Sequence, residues 1–290
     1  LLSIFFSFTK LLFLFYSIFY WKKNSFFKKI LSIIYYLLFI SPGISAGTNS
    51  VVFLFFIFSF FSILIIGYLR KNRYFNYIVL FSIIFAFVPI GFFGFIMSQR
   101  GGGFEFFSTI SPLGDISIEM TTPSLDSISG FYQYSLVWLS TYVLQGYYGF
   151  SLILGMDLNW TFGFGNSAFL QRQFLMITNI DISSWTFQSR INDIWDKDAN
   201  WHSFYGQFAN DFGFLGLAFL MLLLGFFFSR VWLTVIFNKS FYGAALLPIF
   251  ILMFIFFPAN NQVFGYIDTL SYFVIVSFFW LFEGKRFKLL

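Results

Sequence analysis

Seven runs of apolar residues, at roughly 1–20, 30–47, 50–69, 75–97, 213–237, 241–257 and 269–283, constrain this chain more than any other feature. A helix crossing the hydrocarbon core of a bilayer needs about 20 mostly apolar residues and satisfies its backbone polar groups internally. With 59% hydrophobic residues, 10% charged residues and 52 phenylalanines, 290 residues could not hide their apolar surface inside one globule. The expectation is an all-α, polytopic integral membrane protein with about seven transmembrane helices. Lys10 stands near the middle of the first run, where a charge is costly, so a short first helix is expected, with residues 1–8 belonging to something earlier. The chain opens on Leu1 without a methionine or a basic n-region, which predicts truncation rather than a signal peptide.

Orientation follows from the bases. Lys22, Lys23, Lys28 and Lys29 form one cluster; Arg70, Lys71 and Arg73 a second; Arg230 and Lys239 a third; Lys285, Arg286 and Lys288 a fourth. The seven-span list puts all four on one side, which the positive-inside rule makes cytoplasmic. A net charge of +5 dispersed in this way is an orientation signal and excludes a nucleic-acid partner. Three parts result: N-terminal helices over 1–97, one large extracytoplasmic loop over 98–212, and C-terminal helices over 213–290. The loop holds ten of the twelve acidic residues, with only Arg100, Arg172, Arg190 and Lys197 as bases. The absence of cysteine leaves no disulfide and no thiolate metal site.

Inside the loop, residues 134–156 are uncharged and long enough to span. Spanning would throw Lys285, Arg286 and Lys288 outside, so a re-entrant or in-plane pair of short helices breaking at 146–149 is expected. Residues 98–133 are rich in Gly, Ser, Thr, Pro and Asp and read as irregular, mobile backbone. Residues 157–212 carry Trp160, Trp185, Trp195 and Trp201 among amide, carboxylate and guanidinium groups. Flat rings interleaved with polar groups suit a sugar; equally, interfacial tryptophans anchor proteins at headgroup depth. Asp193, Asp196 and Asp198 lie within six residues, but Lys197 interrupts them and the spacing is not that of a calcium loop, so a solvated acidic loop is expected.

The one histidine stands in WHSFYGQFANDFGFLG, residues 201–216. From His202, Tyr205, Ala209, Gly213 and Gly216 follow at offsets of 3, 7, 11 and 14, one face of a helix. The small residues would let another helix approach, with His202 and Tyr205 projecting above it into the aqueous loop. The alternative is a histidine hydrogen-bonded at a helix start with no chemical duty.

This spacing, H-x-x-Y followed by two glycines at the opening of an apolar helix, resembles a motif of bacterial O-antigen ligases and Wzy-type O-antigen polymerases. TYVLQGYYGFSLILGMDLNWTFGFGNSAF, residues 141–169, is similar to the Tyr- and Gly-rich start of the large periplasmic loop of oligosaccharide repeat-unit polymerases. Ser203 stands where the ligase pattern has Asn, and seven spans are fewer than the family's ten or more. The resemblance implies a GT-C-like fold in the bacterial cytoplasmic membrane with its site facing outward. It also implies metal-independent, cofactor-free inverting transfer between undecaprenyl-diphosphate-linked oligosaccharides. Membrane lipid, a flippase and a chain-length regulator would be the partners.

In that reading His202 is the base that deprotonates the acceptor hydroxyl, because imidazole titrates near neutral pH. Arg172 and Arg190 hold the departing diphosphate, since guanidinium forks match phosphate bidentately; the alternative for each is an ordinary loop ion pair or a headgroup contact. Arg100, Tyr147, Tyr148, Asp198, Trp201, Tyr205 and Asp211 complete the substrate site. Asp198 or Asp211 could replace the imidazole as base or hold its tautomer, although Asp211 falls about half a turn round the helix from His202. A ligase, or a flippase for lipid-linked sugars, is the competing function.

Overall fold

A computed structural model describes residues 2–45, 49–71, 75–100, 109–113, 116–119 and 127–283. The apolar runs are helical: α1 Leu2–Phe19, α2 Phe26–Ser45, α3 Asn49–Leu69 and α4 Phe75–Arg100 before the polar region, then α8 Phe204–Asn238, α9 Phe241–Phe256 and α10 Ile267–Phe282 after it. Between the two sets lie a two-stranded antiparallel hairpin (β1 Thr109–Leu113, β2 Ile116–Glu119), α5 Ile128–Ile153, α6 Ala168–Thr178, a 3₁₀ turn at Ile182–Trp185 and α7 Phe187–Arg190. The hairpin departs from the irregular backbone expected over 98–133. Serines start four of the helices. Ser127, Ser167, Ser203 and Ser240 each accept a hydrogen bond from the N–H three residues on, at 2.8–3.3 Å, satisfying an otherwise orphaned donor.

Among the described residues, two helices, Val51–Leu69 and Phe204–Asn238, are long and apolar enough to cross a membrane. Ser7–Phe19, Ile90–Gln99, Phe241–Phe256 and Ile267–Phe282 are apolar but shorter. The two faces of α8 show which solvent it suits. Leu217, Leu224, Val231 and Val235 are buried, while Leu215 (91% exposed), Phe219, Leu222, Phe226 and Phe237 face outward. A helix apolar all round, with one side unburied, is stable in hydrocarbon and not in water.

The main core joins α1, α3, α8, α9 and α10 through Leu11, Phe15, Phe58, Phe204, Phe250, Tyr272 and Val276. Helix α9 sits at its centre, buried at every position from Gly243 to Phe250. Lys10 does not shorten α1. Its ammonium donates to both carboxylate oxygens of Asp268 on α10, at 2.8 and 3.0 Å, so the charge is compensated and α1 continues through it. Beside that pair, the hydroxyls of Ser7 and Ser271 meet at 2.6 Å.

Helix α5 corrects a second expectation, because it runs unbroken through 146–149. Its glycines serve close packing. A Cβ added at Gly146 would stand 2.2 Å from the Pro258 carbonyl oxygen and 2.5 Å from that of Ala259, so only glycine lets α5 lie against the end of α9. Earlier in α5, Tyr134 packs with Phe93 and Met97 of α4.

The face expected from His202 to Gly216 is also not continuous. His202 precedes α8, which Ser203 caps, and Gly213 interrupts α8 with φ 65° and ψ 177°. That conformation is open to glycine and separates a nine-residue start, embedded in the polar segment, from the apolar length beyond.

Candidate functional site

Residues 157–203 have little regular structure, so their backbone polar groups need partners outside helices. Asp211, in the third turn of α8, supplies many of them. Its carboxylate accepts from Thr161 Oγ1 (2.5 Å), the N–H groups of Gly163, Gly165 and Asn166 (2.9–3.0 Å) and Asn166 Nδ2 (2.7 Å). This web holds a tight loop in which Phe162 and Gly163 both have positive φ, a conformation costly for a bulky residue. Asp211 is therefore the loop's structural anchor, 5% exposed with its carboxylate taken up by these donors. Asn210 does similar work, accepting from Phe187 N–H (2.7 Å) and donating to Gln188 Oε1 (2.8 Å). Ile153, Phe187, Ile191, Trp195 and Ala209 form a small apolar core beneath the loop.

A cavity of about 540 Å³ opens between this segment and the connection from α9 to α10. It brings together Arg172, Asp198, Trp201 and His202 of the residues predicted from sequence, and adds Lys197, Gln188, Asn260 and Tyr266. Arg172, exposed on α6, has no ion-pair partner among the described residues. Lys197 donates to Ser189 Oγ at 3.1 Å. Asn261 ties the floor together by donating to the Asn166 carbonyl at 2.8 Å.

His202 is only 6% exposed, so it does not project into an aqueous loop as expected. Gly149 leaves room for it: a Cβ there would stand 3.3 Å from Nδ1 of His202 and 2.9 Å from Nε1 of Trp195. Burial pulls its pKa down to about 4, because the cationic form loses hydration without gaining a partner. At neutral pH the ring is unprotonated. Its Nε2 has no hydrogen-bond partner among the described residues, and neither do Nε2 of Gln188 nor Oδ1 of Asn260. All three atoms belong to residues that line the cavity.

Other predicted residues lie elsewhere. Arg190 is not in the cavity wall; it donates to the Asp157 carbonyl (2.5 Å) and lies 5.6 Å from the Phe187 ring centroid. Tyr147 stacks on Tyr205 (6.1 Å, 11°) in the seam between α5 and α8, and Tyr148 meets Trp195 edge-on at 4.9 Å. The side chain of Arg100 is outside the described residues, as are Arg73, Lys285, Arg286 and Lys288. Of the four tryptophans, only Trp201 lines the cavity; Trp195 is buried, while Trp160 and Trp185 flank Phe162 on an exposed surface. In the acidic cluster, Asp196 accepts from the N–H groups of Asp198 and Ala199 and closes a turn. Among the described residues no group of three His, Asp or Glu side chains is placed to hold a metal ion.

The cavity and the Lys22 and Arg70 cluster lie at opposite ends of α9. Phe241, its first residue, packs on Phe19 at 5.1 Å, and Asn260, just beyond its last turn, lines the cavity. Sixteen helical residues separate them by about 24 Å. No family model, curated protein or solved structure matches the chain.

Proposed function

We propose that this chain is a membrane-embedded glycosyltransferase that joins polyprenyl-diphosphate-linked oligosaccharide repeat units at the outer face of a bacterial cytoplasmic membrane. In this reading α1–α4 and α8–α10 cross the bilayer, α5 packs among them without crossing, and the GT-C-like site is formed by residues 157–203 with the α9–α10 connection. The observation that carries the reading is the gathering of Arg172, Lys197, Trp201 and an unprotonated His202 in one cavity. That cavity lies at the end of the bundle opposite Lys22 and Arg70, and His202 in its wall opens the motif that resembles those of O-antigen ligases and polymerases.

The reaction forms one glycosidic bond. The acceptor hydroxyl oxygen attacks the anomeric carbon while the bond from that carbon to the diphosphate oxygen breaks, and the hydroxyl proton passes to the imidazole of His202. Polyprenyl diphosphate leaves as an anion, its charge held by Arg172 and Lys197. An imidazole with a pKa of about 4 is a weak base. Bringing the diphosphate beside it favours the cation and strengthens the base when substrate is bound.

The test uses the full chain in proteoliposomes with a polyprenyl-diphosphate-linked oligosaccharide, the products being resolved on a gel. Wild type is expected to form a ladder. Arg172→Ala and His202→Ala should lose it while inserting normally, whereas Arg190→Ala, which removes the Asp157 brace and the Phe187 contact outside the cavity, should retain most of it. Unaltered ladders from Arg172→Ala would overturn the assignment. A ligase would instead move preformed polymer from the carrier to another acceptor.

Transport of lipid-linked sugars is favoured by one observation, the half-buried Lys10–Asp268 ion pair between two apolar helices, α1 and the first turn of α10. A transporter should fail with Asp268→Asn and tolerate Arg172→Ala; a glycosyltransferase should show the reverse.

A further inference from the structure

At the other end of the bundle, a second cleft of about 480 Å³ lies between α1, α2 and α3. Its walls are apolar, with Ile18, Ile63 and Ile66 prominent, and its mouth carries Trp21, Lys22 and Arg70. We propose that this cleft binds an anionic phospholipid, one acyl chain lying along the isoleucines and the phosphate held between Lys22 and Arg70. The inference does not depend on the chemistry proposed for the outer cavity.

Two features of the mouth select the occupant. Lys22 is exposed and forms no ion pair among the described residues. Arg70 donates through Nη2 to the carbonyl of Phe19, closing the end of α1, and its guanidinium lies 4.6 Å from the Phe19 ring centroid. These contacts fix the guanidinium at the rim and use one of its five N–H donors. An apolar slot ending in a fixed guanidinium and a free ammonium fits an amphiphile with one negative head. Trp21 beside them is half exposed, as rings at headgroup depth are. A zwitterionic lipid would set its own cation against Lys22 and Arg70. The charge difference across two basic residues predicts a preference of about tenfold.

The test is native mass spectrometry of the full chain in detergent with equal amounts of dioleoyl-phosphatidylglycerol and dioleoyl-phosphatidylcholine. Wild type is expected to retain phosphatidylglycerol about tenfold over phosphatidylcholine. Lys22→Glu, which disturbs no described hydrogen bond, should bring the two to parity without changing the lipid-free melting temperature. Ile63→Trp, which fills the cleft, should remove the retained lipid. Arg70→Gln should also lose selectivity, but because Arg70 caps α1 the other two variants decide. Equal retention of both lipids by wild type would overturn the proposal. So would a preference that survives both Lys22→Glu and Ile63→Trp, or a lipid-free dimer that buries the cleft.

Discussion

The apolar bundle and the polar segment over 157–203 are held together by opposite means. In the bundle, phenylalanines interlock round α9, and polar side chains bond either within their own helix, as Ser62 Oγ does to the Phe58 carbonyl at 2.7 Å, or singly to a neighbouring helix, as the Tyr272 hydroxyl does to the Ala245 carbonyl at 2.8 Å. In the polar segment the apolar core is five buried residues, and one carboxylate organises the loop above it. Dispersed packing tolerates single losses; a hydrogen-bond hub concentrates them. The segment that forms the cavity is therefore also the one a single substitution can collapse.

The largest expected effect comes from removing that hub. Asp211→Ala leaves its buried donors without an acceptor, and a loss of at least ~3 kcal/mol is predicted for the polar segment. Hydrogen exchange should show residues 157–200 losing protection while α9 keeps its own. Equal loss in both regions would erase the contrast between them.

Acid should come next. His202 has a folded pKa of about 4 against an ordinary 6.5, so its burial favours the neutral ring. The stability this contributes is complete above pH 6.5 and is lost as pH falls from there through 4, by roughly 3 kcal/mol. Melting curves across that range should show the slope, and His202→Gln should flatten it.

Two glycines sharpen the comparison further. Gly146→Ala drives a methyl into the Pro258 and Ala259 carbonyls and is expected to cost about 1–3 kcal/mol. Gly225→Ala, in the exposed length of α8 with nothing within 4 Å, should stabilise by about 0.5–1 kcal/mol through helix propensity alone. Thermal melting of the two variants in one detergent checks both signs.

The helices of the bundle are legible in the sequence because a run of apolar residues is a local signal, and their positions follow the runs closely. Lys10 misleads because its partner is 258 residues away, and compensation by Asp268 leaves no local trace. Gly146 and Gly149 look like helix breakers, since a sequence shows the permissiveness of glycine but not the carbonyls pressed against it. At the cavity, Arg172, Asp198, Trp201 and His202 are recoverable from residue type and side of the chain. Asn260 and Asn261 escape that reasoning, although Asn-Asn-Gln between two apolar runs is a polar cluster with weight of its own. The anchoring contacts of Asp211 leave no trace in the local sequence because its five donors come from a loop 45 to 50 residues away.

A glycosyltransferase acting on exported lipid-linked sugars must turn residues 157–203 outward and the Lys22 cluster toward the cytoplasm. The chain has no cysteine, so single substitutions report cleanly. Asp181→Cys and Lys22→Cys, both at exposed positions, can be treated with a membrane-impermeant maleimide on intact spheroplasts. Labelling of position 181 without permeabilisation, and of position 22 only after it, is predicted; the reverse pattern would contradict an outward-facing site.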